Sequence, residues 1–155
     1  MRAGRKVVVY DNFCKSRPEV IKRIWRITGK APDTVRGDVR DVQALMAALS
    51  THRCRAVIHL AGLKSVADSV NKSAEYYDSN VVATLRVAQA MQQTGVRKIV
   101  FSSSATVYGE PEVLPLRECH RLAPFSPYGR TKRQAEEMLC DIARSATPLN
   151  VGIMR

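Results

Sequence analysis

Short β-branched and apolar runs alternate with longer stretches of helical spacing along the whole of this 155-residue chain. Lys6–Tyr10 (KVVVY) is an apolar run that ends in Asp11-Asn12, which predicts a buried strand. Pro18–Gly29 places proline early, apolar residues at helical spacing and a glycine at its end, which predicts a helix. Thr34–Val39 reads as a second strand, and Asp41–Ser50 as a helix with aspartate at its cap or first turn. Ala56–Gly62 is a third strand running into a glycine turn, and Ser73–Thr94 carries a long helical pattern stopped by Gly95. Lys98–Ser104 is a fourth strand, Pro111–Pro127 a proline-punctuated loop, Tyr128–Ala146 a helix, and Asn150–Met154 a fifth strand.

The strands are nearly continuous apolar runs and each is followed by a helix. That combination predicts a doubly wound α/β fold with a parallel, Rossmann-like sheet covered on both faces. There are no internal repeats or low-complexity tracts, so the chain reads as one domain. In such sheets ligands sit outside the carboxyl ends of the strands, and the chemistry is sought there.

Composition changes this picture little. The net charge is +11, but the 25 Lys and Arg residues are spread over every segment with no basic tail or aromatic-interleaved stripe. Spread charge reads as solvated helix faces rather than a nucleic-acid surface. No apolar run approaches the roughly 20 residues that span a bilayer, which argues against a membrane partner. Cys14, Cys54, Cys119 and Cys140 form no CxxC pair, and His52, His59 and His120 have no finger-like spacing. Reduced cytoplasmic thiols and no metal site are the expectation.

Four clusters fall at successive strand ends. Asp11 closes the first strand, where a carboxylate can either accept hydrogen bonds from an adenosine ribose or simply open a turn with Asn12. As a ribose acceptor it favours NAD over NADP, although Lys15 and Arg17 lie nearby. Asp38 and Val39 close the second strand, where an acidic group can meet an adenine amine. In His59–Val66 (HLAGLKSV), Ala61 and Gly62 let backbone approach a bulky ligand, and Lys64 adds charge; His59 itself reads as a core residue. Phe101–Gly109 (FSSSATVYG) puts hydroxyls at the end of the fourth strand, with Ser104 suited to donate to a substrate oxygen. Asn80 lies in the long helix among residues that otherwise face a core.

The fifth cluster, SPYGRTK from Ser126 to Lys132, sets a tyrosine four residues before a lysine at a helix start. A phenol has an ordinary pKa of about 10, and a nearby ammonium favours the phenolate. One helical turn puts Lys132 on the face of Tyr128. Ser104 would then hold the hydroxyl whose proton Tyr128 removes.

The stretches DNFCKS, GDVRD, VIHLAGLKSVADSV, YYDSNV, FSSSATVYG and SPYGRTK together resemble the extended short-chain dehydrogenase/reductases, and most closely the UDP-glucose 4-epimerase family, over essentially the whole chain. The resemblance implies NAD as cofactor and a UDP-hexose as substrate. It implies that Asp11, Asn12, Phe13, Cys14, Lys15, Ser16, Asp38 and Val39 hold the adenosine side. Leu60, Ala61, Gly62, Leu63 and Lys64 would line the dinucleotide, Lys64 also meeting substrate, with Asn80 contacting the cofactor or the water network behind it. Tyr128 would be the base, Ser104 and Tyr128 would meet the sugar, and Lys132 would bind the nicotinamide ribose. The implied reaction interconverts UDP-galactose and UDP-glucose through a 4-keto sugar that turns over in the pocket. A 4,6-dehydratase would need an Asp-Glu pair directly after the hydroxyl residue; Ala105 and Thr106 stand there.

The family also implies a first strand with a glycine-rich phosphate loop, and a substrate-binding lobe, neither of which has a counterpart in these residues. The expectation is therefore a partial, catalytically silent NAD-dependent epimerase/dehydratase domain, from a family that typically forms homodimers. It would leave the strands at Lys6–Tyr10 and Ala56–Leu60 with unpaired facing edges and a tendency to aggregate. Two other readings stay open: another nucleotide-sugar short-chain reductase or epimerase, and a non-catalytic remnant that binds a nucleotide or an acidic partner.

Overall fold

The structure, a computed structural model, describes residues 1, 4–111 and 113–155. Its elements follow the apolar pattern with shifts at their ends. Strand β1 is Val8–Asp11, helix α1 Glu19–Thr28, strand β2 Asp33–Arg36, helix α2 Val42–Thr51, and strand β3 Ala56–His59. Helices α3 (Val66–Asn71) and α4 (Ser73–Tyr77) follow, then a π-turn (Asp78–Val82) and helix α5 (Ala83–Thr94). Strand β4 (Lys98–Ser102), a 3-10 turn (Ala105–Tyr108), helix α6 (Pro127–Ala143) and strand β5 (Asn150–Met154) complete the order.

Local chemistry accounts for the boundaries. Gly29 and Gly95 end α1 and α5 in the left-handed conformation, which costs glycine least. Asp41 and Ser126 cap α2 and α6, each side chain accepting from a backbone N–H three residues on. The periodicity of Ser73–Thr94 showed one helix; the π-turn inserted in it and the separate α3 were not visible in that pattern.

All strand pairs are parallel, β1 with β2 and β3–β4–β5 in that order, as two separate sheets. The core lies under the three-stranded sheet. Leu45 and Leu49 of α2, Val87, Ala88 and Met91 of α5, and Ala135 and Leu139 of α6 pack on Ile99 and Phe101 of β4. The parallel α/β arrangement is the one expected from the sequence, and within this chain the helices cover one face of the three-stranded sheet. Ile58 is 69% and Leu60 71% exposed on the opposite face, and no residue of α1 is buried. Handedness decides which face these helices cover. β3, β4 and β5 advance in one direction, so right-handed crossovers bring their helices to the same side.

His59, at the end of β3, turns into this core, as its sequence context implied. Its Nε2 lies 2.9 Å from the Thr84 hydroxyl, which itself donates to the Asn80 carbonyl. Thr84 thus accepts from His59, which fixes the Nε2–H tautomer. Burial, and secondarily the charge of Lys132, push the His59 pKa down to about 4.

Two predictions follow from this layout. Leu139→Ala should cost about 2–5 kcal/mol, whereas Ile58→Lys on the open face should stay within about 0.5 kcal/mol, both read by urea unfolding. Between pH 6.5 and 4 the unfolded chain binds a proton at residue 59 that the folded chain refuses, so stability falls as pH falls through that window. The loss amounts to about 3 kcal/mol. His59→Gln, compared with the native chain at pH 7 and pH 4.5, should flatten that slope; an equal slope in both would show that His59 is not its source.

Candidate active site at the carboxyl ends of the strands

The chain places two residues of α6 at the centre of the site. Ser126 caps the helix and Pro127 opens it, so Tyr128 and Lys132 both point inward one turn apart. Lys132 is only 5% exposed. Its Nζ donates to the Ser102 carbonyl at 3.0 Å and lies 4.9 Å from the centre of the Phe101 ring. Burial pushes its pKa down to about 8. Tyr128 is buried with Leu63 and Tyr76, the two tyrosine rings meeting edge to face at 6.4 Å.

Gly129 explains how α6 comes so close to the end of β4. A Cβ there would stand 2.9 Å from the Thr106 carbonyl and 2.9 Å from the Pro124 side chain. Only glycine lets the helix start rest against the 3-10 turn that Ser104 caps. The Ser104 Oγ accepts from the Thr106 N–H at 3.2 Å and from the Thr106 hydroxyl at 2.9 Å. That arrangement leaves the Ser104 proton available to a further acceptor. The end of β4 and the start of α6 thus bring the Ser104, Tyr128 and Lys132 segments to one place.

Asn80 sits behind them, 1% exposed in the π-turn. Its Oδ1 accepts from the Leu63 N–H at 2.8 Å, and its Nδ2 donates to the Leu63 carbonyl and the Thr131 hydroxyl, both at 3.0 Å. Thr131 in turn donates to the Tyr128 carbonyl. The Asn80 side chain therefore braces the loop after β3 against the catalytic-candidate helix. Gly62 is required at this join: its φ is +150°, and a Cβ would fall 2.7 Å from Asn80 Oδ1 and 3.7 Å from Lys132 Nζ.

The remaining candidates line the ends of β1, β2 and β3. Asp11 Oδ1 accepts from the Phe13 N–H at 2.7 Å and Oδ2 from the Ser16 hydroxyl at 3.0 Å, so the carboxylate shapes its own loop. Phe13 sits at φ 59°, while Cys14 and Lys15 are exposed at the loop's tip. Asn12 donates to Asp38 Oδ2, tying this loop to the segment after β2. Hydrogen bonds from Arg40 hold the Asp38 carboxyl well below the usual carboxylate range, and Arg40 also pairs with Asp78 at the start of the π-turn. The Val39 side chain packs on the core. Leu60 and Lys64 are exposed beside Gly62. Among the described residues, no cluster of three or more His, Cys, Asp or Glu could hold a metal ion.

Sequence reasoning overlooked Arg40, Thr84, Ser103, Thr131, Glu136 and Arg155. One signal was present. Glu136 follows Lys132 by four residues and sits among Ala135 and Leu139, so a carboxylate falls on the buried stripe of α6. Such a charge demands partners.

A model of the family described as "NAD dependent epimerase/dehydratase family" matches residues 1–155. UDP-glucose 4-epimerase of Pasteurella multocida strain Pm70 is 42% identical over 156 aligned residues, covering 100% of this chain and 46% of the relative. The enzyme of that name from Mus musculus is 40% identical over 162 residues, covering 47% of its length. The chain thus spans about half the length of these curated relatives. Among solved structures, UDP-glucose 4-epimerase from Stenotrophomonas maltophila, with bound NAD and formylated UDP-arabinopyranose, superimposes with a TM-score of 0.95. It is 41% identical, and the match covers 99% of this chain and 46% of that one. The Bifidobacterium longum enzyme, in complex with NAD+ and UDP, gives 0.95 at 38% identity over the same shares. Matched from its first residue to its last, the chain belongs to the NAD dependent epimerase/dehydratase family.

Proposed function

We propose that this chain carries the cofactor-binding and proton-transfer half of a UDP-hexose 4-epimerase. One observation supports the reading above the others. Lys132 is a buried lysine held by the Ser102 carbonyl, one turn from a buried tyrosine on a helix that abuts the Ser104 turn. A buried ammonium is costly, and its place beside a phenol suits it to proton transfer.

The residues present fit the two ends of a dinucleotide. At one end the carboxylate of Asp11 closes β1, with Asn12, Phe13, Cys14, Lys15 and Ser16 in its loop and Asp38 and Val39 beside it. The fixed negative charge suits ribose hydroxyls and disfavours a 2′-phosphate. At the other end Lys132 offers its remaining N–H donors to a ribose, with Leu60 to Lys64 along the path between. NAD, when bound, would supply the reversible oxidation of the sugar at carbon 4. Tyr128 would take the proton of the 4-hydroxyl and later return it. Ser104 would donate to the same oxygen and hold it in place. Lys132 would hold its ammonium one helical turn from Tyr128, and Asn80 would keep the loop and the helix in register. The solved relatives that contain NAD, UDP or a UDP-sugar support both ligand classes.

A chimera tests the assignment. In it this chain replaces the segment that it aligns with in the Pasteurella multocida enzyme, and conversion of UDP-galactose to UDP-glucose is followed by NMR with NAD present. Tyr128→Phe is expected to lower the rate by about 10²-fold or more, and Ser104→Ala by a smaller factor. Tyr128→Phe turning over as fast as the parent chimera would remove Tyr128 from the role of base.

A further inference from the structure

Among the described residues, a second buried ionisable group besides His59 is left unused by that chemistry. Glu136 is 3% exposed, one turn beyond Lys132 on α6. Its Oε1 accepts from the Ser103 hydroxyl in a short hydrogen bond. The guanidinium of Arg155, just past β5, grips it by two nitrogens, with Nη2 2.6 Å from Oε2 and Nε 3.0 Å from the same oxygen. Arg155 continues to the Tyr108 hydroxyl at 3.3 Å and stacks over its ring at 5.4 Å. Ser103 is further pinned by its N–H, which donates to the Met154 carbonyl at 2.7 Å. One carboxylate therefore gathers the end of β4, the end of β5, the 3-10 turn and α6.

A buried carboxylate in that position costs stability unless it is paired, so packing alone does not account for it. Its placement does. Ser103 stands between Ser102, whose carbonyl receives the Lys132 ammonium, and Ser104, whose hydroxyl caps the turn. Whatever holds Ser103 against α6 sets the position of both neighbours relative to Tyr128 and Lys132, which lie on that same helix.

We infer that Glu136 is a positioning residue: through the Ser103 hydroxyl, with Arg155 as its charge partner, it clamps the Ser102–Ser104 segment to α6 and so sets the spacing of Ser104, Tyr128 and Lys132. The inference rests on the epimerase reading for what that spacing serves, but the clamp itself is read without nucleotide or sugar.

The experiment is an NMR titration of the 13Cε signal of Lys132 in this chain, native and with Ser103 replaced. The native signal should titrate near 8, because burial desolvates the ammonium. Ser103→Ala removes only the hydroxyl link; water then reaches Nζ, and proton affinity at Lys132 is expected to rise about tenfold. Ser103→Thr, which keeps a hydroxyl, should restore the native midpoint. A hydroxyl that merely fills space would let Ser103→Ala lower stability with the Lys132 midpoint unmoved, and that result would overturn the clamp. Should Ser103→Ala not fold, Ser103→Cys carries the same test. Its weak S–H donor is expected to shift the midpoint in the same direction by less, and an unmoved midpoint there overturns the clamp equally. None of these outcomes touches the chimera assay, so the clamp and the epimerase reading fail separately.

Discussion

The buried ammonium of Lys132 is the constraint around which this molecule is arranged. A charge taken out of water must find an acceptor, and the acceptor here is the carbonyl of Ser102 at the end of β4. Meeting that need draws α6 down onto the strand end. Gly129 makes the approach possible, because any side chain there would strike the Thr106 carbonyl. Once α6 is seated, Tyr128 is buried beside Leu63 and Tyr76, and the Ser104 turn lies against the helix start. The geometry of the site rests on one desolvated lysine and on the missing Cβ atoms of Gly129 and Gly62.

Around that seat the polar groups form linked braces. His59 meets Thr84, Thr84 meets the Asn80 carbonyl, and the Asn80 side chain joins Leu63 to Thr131 on α6. On the other flank Glu136 joins Ser103, Arg155 and, through Arg155, Tyr108. Arg40 links Asp38 to Asp78, and so connects the segment after β2 with the π-turn that holds Asn80. Every buried side-chain nitrogen and oxygen among the described residues has a partner. A network satisfied to this degree holds one arrangement rather than several.

The same physics explains the face that is left bare. Right-handed crossovers put α5 and α6 on one side of β3–β4–β5, α2 packs into the same core, and the apolar residues Ile58, Leu60 and Met154 are exposed. The candidate site is built wholly on the covered side and the strand ends.

Local sequence determined the alternation of strands and helices, the caps at Asp41 and Ser126, the glycine stops at 29 and 95, and the strand ends that carry Asp11, Asp38, Gly62 and Ser104. These follow from periodicity and backbone preference, which act over a few residues. Which polar group satisfies which was decided only by tertiary structure. Asn80 finds Leu63 and Thr131 across 17 and 51 positions, and Ser103 finds Glu136 across 33. Such pairings depend on how helices sit on strands, and no local pattern records that. The π-turn that turns Asn80 inward and the pairing of Glu136 with Ser103 and Arg155 belong to this second kind, because each is the outcome of burying polar and charged groups in three dimensions.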